Sequence, residues 1–306
     1  MTDYEKMIEH LKGLDTEQVN PRTTDLDRLS ALQIVEKINT EDRRVAGVVA
    51  GAMPQIAQAA ETFAAVLRDG GRVFYIGAGT SGRLGVLDAA ECPPTFGTNP
   101  AQIVGLICGG HETLVLSREG AEDNRAAAVE DLKKVKLTAN DFVIGIAASV
   151  RTPYTLAGLE YARATGCQTA FIICNRSGEL PVQPDIIIEL PVGPEVITGS
   201  TRMKSATAQK MTLNMISTTA MVLLGKTYGN LMVDLQARSE KLAARSRKIL
   251  IELLDISLTQ ADELSKQAGG SVKLAIVMHR FNCSREEART KLEQAGGVIR
   301  RIKTED

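Results

Sequence analysis

Glu91 and Glu122 are carboxylates in two successive strand-and-helix units of this chain, in surroundings that pull their protonation in opposite directions. Glu91 closes a helical stretch over about 82–91, which Pro93-Pro94 terminate. A carboxylate there meets the negative end of the helix dipole, and half-burial beneath Cys92 and the prolines would favour its protonated form further. Such a group can give a proton at neutral pH. Glu122, in the run Glu119-Gly120-Ala121-Glu122-Asp123, opens the next helix, where the dipole favours the anion and a base is the natural role. Taken singly, each residue also reads as an ordinary solvated helix-end acid. Together they form a pair whose environments separate acid from base.

The second chemical theme is anion binding. Gly77-x-Gly79-x-x-Gly82 follows the apolar run Val73–Ile76 and matches a dinucleotide fingerprint. That fingerprint also wants an acidic residue at the end of the second strand, some twenty residues on. The second strand ends in Cys108-Gly109-Gly110-His111, so the nicotinamide reading loses its second half. Hydroxyls recur instead, with Gly79, Thr80 and Ser81 in the first turn, Ser149 and Thr152 in a second, and Ser200 and Thr201 in a third. Each turn lies near a strand end or a helix start, where hydroxyls and free amides hold a phosphate or cap a helix. Thr152 before Pro153 reads as an N-cap with proline at the first helical position.

The elements that must carry these residues are legible as alternating runs. Residues up to about 60 read as a polar start followed by helices, over Leu26–Ile38 and Val45–Leu67, with Pro54 marking a start or kink. Strands are expected at Val73–Ile76, Ile103–Cys108, Phe142–Ala147, Thr169–Cys174 and Ile186–Leu190, with helices near 82–91, 120–134 and 153–165 between them. That alternation predicts an α/β fold, a doubly wound, mostly parallel five-stranded sheet flanked by helices. A long helix follows Thr198 to about Leu224, and another spans Asp234–Leu254. Helices led by Ser257, Ser271 and Ser284 build a small C-terminal module. The expected division is an N-terminal helical segment 1–55, an α/β domain 56–225 and a helical C-terminal region 226–306.

With 36 basic and 37 acidic residues, the charge balance suggests neither nucleic acid nor an anionic membrane as partner. Aromatics make up 4% and Trp is absent, which argues against stacking platforms for sugars or bases. Five scattered cysteines without a CxxC pair read as reduced thiols of a cytoplasmic protein. The N-terminus lacks the apolar core of a secretory signal, and Met211–Gly225 is too short and polar to span a bilayer. The three histidines do not cluster, so metal catalysis is not indicated.

The combination resembles the N-acetylmuramic acid 6-phosphate etherases of the sugar-isomerase (SIS) domain superfamily. The segments that carry the resemblance are 77–85, Glu91-Cys92-Pro93-Pro94, 119–123, 145–149, Arg151-Thr152-Pro153-Tyr154, 198–204 and 229–234. The resemblance runs from about 20 to 300. It implies a cytoplasmic, homodimeric carbon–oxygen lyase of peptidoglycan recycling that works without cofactor or metal. Such an enzyme cleaves the D-lactyl ether of its substrate by elimination and hydration, giving N-acetylglucosamine 6-phosphate and D-lactate. The family's two catalytic glutamates fall on Glu91 and Glu122. Lys241 is a candidate to stabilise enolate charge, or else a solvated lysine on a charged helix. Val150 departs from the pattern, since the family usually has glycine there; a left-handed backbone would strain valine, and a close ligand would be crowded by it. Two alternatives share the fold: a phosphosugar isomerase, and a phosphosugar-binding regulator akin to the much longer glucokinase regulatory protein.

Overall fold

The computed structural model describes residues 5, 11–178, 180–234 and 240–303, the side chain of Lys241 excepted. The five apolar runs become the five strands of one parallel sheet: β1 (Val73–Gly77), β2 (Ile103–Ile107), β3 (Phe142–Ile146), β4 (Gln168–Ile173) and β5 (Ile186–Glu189). Every residue of β1 and β3 is buried, as continuous apolar strands covered on both faces require. The spatial order is β2-β1-β3-β4-β5, with Gly77 paired to Ile107 on one side and Ile146 on the other. The chain therefore turns outward in opposite directions from β1 and β3. A crevice opens at their carboxyl ends, the place where open α/β sheets bind ligands.

The preceding helices are α1 (Ala31–Asp42), α2 (Val45–Gly51) and α3 (Met53–Arg68). Ser30 closes α1 with a reciprocal capping box, so the expected Leu26–Ile38 helix begins later and leaves only a 3-10 turn at Leu26–Arg28. Pro54 stands in the first turn of α3 and marks a helix start. Between the strands run α4 (Gly79–Phe96), α5 (Arg125–Lys134) and α6 (Pro153–Thr165), and α7 (Lys204–Leu223) follows β5.

Three boundaries differ from expectation, and each moves a residue of interest. Helix α4 continues through Pro93 and Pro94, and its end is set by Gly97, whose N–H bonds the Pro93 carbonyl at 2.9 Å with φ +65°. Glu91 is therefore interior to the helix. Helix α5 begins at Arg125 because the Asn124 side chain accepts from Ala127 N–H at 3.0 Å, which leaves Glu122 in a separate 3-10 turn, Ala121–Asp123. Helix α7 begins at Lys204, so Ser200 and Thr201 sit in the turn before it.

The chain forms two compact units, Met1–Ala90 with Ala101–Ser217, and Glu91–Pro100 with Thr218–Asp306. The first is built on the sheet, with Phe74, Val143, Leu159 and Phe171 fully buried in its core. The second holds the short hairpin β6 (Thr227–Tyr228) and β7 (Leu231–Met232), then α8 (Glu240–Leu254), α9 (Leu258–Gln267), α10 (Val272–Phe281) and α11 (Arg285–Gln294). Ser257, Ser271 and Ser284 cap the last three, as their sequence positions indicate. Leu250 and Ile276 are fully buried in its own core. Residues 235–239, part of the helix expected over Asp234–Leu254, lie outside the described residues. Among the described residues no helix is long and apolar enough to cross a membrane. None of the five cysteines forms a disulfide, and four are buried.

Candidate active site

Beyond the carboxyl ends of β1 and β3 lies a cavity of about 260 Å³. Its first wall is the turn Ala78-Gly79-Thr80-Ser81. Gly79 has φ +54°, a left-handed conformation that glycine adopts without strain and that swings the chain from β1 into α4. Gly82 serves close packing: a Cβ there would stand 2.6 Å from the Gly77 carbonyl oxygen. Ser81 is 7% exposed and donates to Gln209 Oε1 on α7 at 2.9 Å, so its hydroxyl braces two helices at the cavity wall.

The second wall is Ile146-Ala147-Ala148-Ser149 with Thr152. The Ser149 hydroxyl accepts from Arg151 N–H at 3.3 Å. Thr152 is the N-cap of α6, with Pro153 following, but its hydroxyl makes no capping bond. Gly199 and Thr201 complete that side, whereas Ser200 does not line the cavity. Thr16 and Glu17 close it from the N-terminal segment, which the sequence reading did not anticipate. Asn175, two residues beyond β4, holds them there: its Nδ2 donates to Thr16 Oγ1 at 3.1 Å and to Ala148 O at 2.9 Å, and its Oδ1 accepts from Thr16 N–H at 3.3 Å. Its place at a strand's carboxyl end was the available signal.

What this cavity offers an anion is neutral donors. The N-terminal ends of α4 and α6 border it, with the hydroxyls of Thr80, Ser149, Thr152 and Thr201, while its charged lining residues among those described are Glu17 and Glu122. The third helix start does not contribute. The fully buried Glu195 carboxylate accepts from the N–H groups of Lys204 and Ser205 at 3.0 and 2.9 Å, and so occupies the N-terminus of α7. Lys204, 1% exposed, reaches Glu41 at 2.7 Å, and Glu41 also accepts from Arg22 and Asn20. The Arg22 hydrogen bond, foremost, holds the Glu41 carboxyl down at about 2 against the opposing effect of burial, with Lys204 and Asn20 assisting.

A second cavity, of about 220 Å³, shares Ala78, Gly79 and Glu122 with the first and adds Arg83, Cys108 and Arg118. Glu122 thus stands on the wall common to both. Its 3-10 turn follows Gly120, at φ +77°, and is tied to the end of β2 by the Cys108 thiol, which donates to Ala121 O at 2.8 Å. Burial, then the charge of Glu122, pushes the Cys108 thiol up to about 11.

Glu91 is exposed, twelve residues beyond Gly79 on α4, and lines neither cavity. The half-burial expected of it is not found in this chain, because Cys92 turns inward while Glu91 turns to solvent. Lys241 belongs to α8, and its side chain lies outside the described residues.

The chain is 51% identical to an N-acetylmuramic acid 6-phosphate etherase of Erwinia tasmaniensis over 95% of each chain. It is 49% identical to one of Mycolicibacterium smegmatis (95% of this chain, 97% of that one) and 50% identical to one of Rhodopirellula baltica (97% and 98%). The chain belongs to the N-acetylmuramic acid 6-phosphate etherase family. Residues 55–163 also match the glucokinase regulatory protein N-terminal SIS domain. A phosphoheptose isomerase structure from Francisella tularensis aligns at a TM-score of 0.46 and 16% identity, over 62% of this chain and 100% of that one.

Against the family pattern, the valine at position 150 is accommodated. Val150 is 6% exposed within the core that contains Leu14, Cys108 and Tyr154. It is not among the residues with positive φ, and it does not line either cavity. The backbone strain expected of it is not found.

Proposed function

We propose that this chain cleaves the D-lactyl ether at C3 of N-acetylmuramic acid 6-phosphate, giving N-acetylglucosamine 6-phosphate and D-lactate. Membership of the etherase family supports the reaction, and one observation supports the place: Glu122 stands on the wall of a donor-lined cavity at the β1/β3 switch point. The phosphate sits against the hydroxyls of Thr80, Ser149, Thr152 and Thr201 and the amides at the starts of α4 and α6. In the open-chain sugar the C1 aldehyde acidifies the C2 proton. A carboxylate base removes that proton, the C3–O bond breaks, and lactate leaves with a proton from an acid. Water then adds across the C2–C3 double bond, its hydroxyl going to C3 and a proton to C2.

Glu122 is the base and water activator in this reading, and Glu91 the acid, with the exchange of roles left open by the resemblance. The role of Glu91 rests on the resemblance, and Lys241 is the candidate to stabilise enolate charge. Ser81 and Ser200 act by shaping the turns rather than by touching phosphate. A cytoplasmic homodimer completes the reading. The test is incubation of the purified chain with N-acetylmuramic acid 6-phosphate. Stoichiometric D-lactate is the expected result, and binding without lactate release would instead point to a regulator.

A further inference from the structure

The two adjoining cavities differ in chemistry, and the substrate of the proposed reaction carries two different anions. The first cavity presents hydroxyls and helix amides, and no cationic side chain among the described residues lines it. The second is lined by two guanidiniums, Arg83 and Arg118. We propose that the second cavity is the seat of the lactyl carboxylate, with Arg118 as its direct partner and Arg83 as the residue that positions the segment carrying Arg118. The inference rests on the etherase reading and assigns a part of the substrate that the reading leaves unplaced.

Arg83 is half-buried on α4 and spends its donors on the opposite segment. Its Nε donates to Leu114 O at 3.1 Å, and its Nη2 donates to Thr113 O at 2.6 Å and to Ser117 Oγ at 3.4 Å. Those bonds fix the chain up to the residue preceding Arg118. Thr113 is fixed from the other side too, its hydroxyl donating to Cys108 O at 2.8 Å or Gly110 O at 2.7 Å. Arg118 itself is exposed and has no ion-pair partner among the described residues. An unpaired guanidinium on a cavity wall presents a planar fork that matches a carboxylate with two parallel hydrogen bonds. Glu119 and Glu122 also line this cavity, so its two positive and two negative groups balance when it is empty.

The placement of Glu122 gives the arrangement its logic. Glu122 and Gly79 are common to both cavities. A sugar with its phosphate in the first cavity and its lactyl carboxylate in the second spans that shared wall, which sets the C2–C3 bond against Glu122. Orientation by two anchors, the C6 phosphate and the lactyl carboxylate, on either side of the reacting centre is the kind of positioning that lowers a barrier before any proton moves.

The test compares two ligands that differ by the lactyl group, using Arg118→Gln in the full chain. N-acetylmuramic acid 6-phosphate has the carboxylate, and N-acetylglucosamine 6-phosphate, the product, lacks it. The expected result is a KM for the first that rises about 10- to 100-fold, as loss of a charge-assisted pair gives, with the inhibition constant of the second within about twofold of wild type. Arg118→Lys, which keeps the charge without the fork, should recover part of the loss. An unchanged KM, or equal weakening of both ligands, overturns the proposal. Absence of D-lactate release by the wild type would instead count against the etherase reading. Calorimetric titration of the two ligands into wild type and Arg118→Gln would then still decide this one.

Discussion

The Cys108 thiol donates a hydrogen bond of 2.8 Å to the carbonyl oxygen of Ala121, the residue directly before Glu122. One bond thereby links the end of the edge strand β2 to the short turn that presents the proposed base. Burial and the neighbouring Glu122 charge hold the thiol up at about 11, so it stays protonated and able to donate throughout the neutral range. Replacing Cys108 with Ala removes the donor and loosens the turn. Stability should fall by about 1–2 kcal/mol. The value of kcat should fall more than the affinity for N-acetylglucosamine 6-phosphate, and Cys108→Ser should recover much of it. Steady-state kinetics beside urea denaturation separates the two effects, and a variant with lost stability but full kcat would dismiss the positioning role.

Glu122→Gln preserves the shape of the shared wall and removes the base. Turnover should drop by about 10²- to 10⁴-fold, the range of general acid–base contributions, while binding of the product sugar phosphate persists. Calorimetric titration with N-acetylglucosamine 6-phosphate checks the second half. Loss of binding together with turnover would make Glu122 a structural residue.

Acid lability should arise in part behind the site. The Glu41 carboxyl is held at about 2 in the fold, against an ordinary value of 4.5. A depressed carboxyl contributes stability that is present above its unfolded pKa and is lost as pH falls through the folded value. The loss therefore spans about pH 4.5 to 2. Glu41→Gln leaves Lys204 buried without its counter-ion and should cost about 3–5 kcal/mol at neutral pH. The gap from wild type should narrow below pH 4.5, as followed by urea denaturation at stepped pH; a constant gap would contradict the assignment.

Val150→Gly restores the residue usual in the family and should nevertheless harm this chain. It removes a buried side chain from the core and adds backbone freedom to the unfolded state, a loss of about 2–3 kcal/mol together. Because Val150 does not line either cavity, KM should move less than about twofold. A large fall in KM without loss of stability would show that the valine does crowd the substrate.

Local signals carried most of the fold. The five strands announce themselves as β-branched apolar runs, and the three C-terminal serines cap the helices they precede, because a cap is decided within four residues of sequence. The rest depended on neighbours that these local signals do not name. Ser81 looked like a phosphate ligand or a cap, but its hydroxyl goes to Gln209, 128 residues away. The turn at Ser200 and Thr201 looked like an open helix start, yet Glu195 had already filled it. Pro93-Pro94 looked like a stop for Glu91's helix, and the chain instead carries both prolines inside α4 up to Gly97. Arg118 gave no signal at all: an exposed arginine becomes notable only once a cavity and a second guanidinium are seen beside it.

The central claim is elimination followed by hydration at C3, and the fate of the bridging oxygen tests it directly. N-acetylmuramic acid 6-phosphate is incubated with the chain in heavy-oxygen water, and the products are read by mass spectrometry. The account predicts solvent oxygen at C3 of N-acetylglucosamine 6-phosphate and none at the hydroxyl carbon of D-lactate. Solvent oxygen found on lactate, with the sugar's C3 oxygen retained, would contradict it.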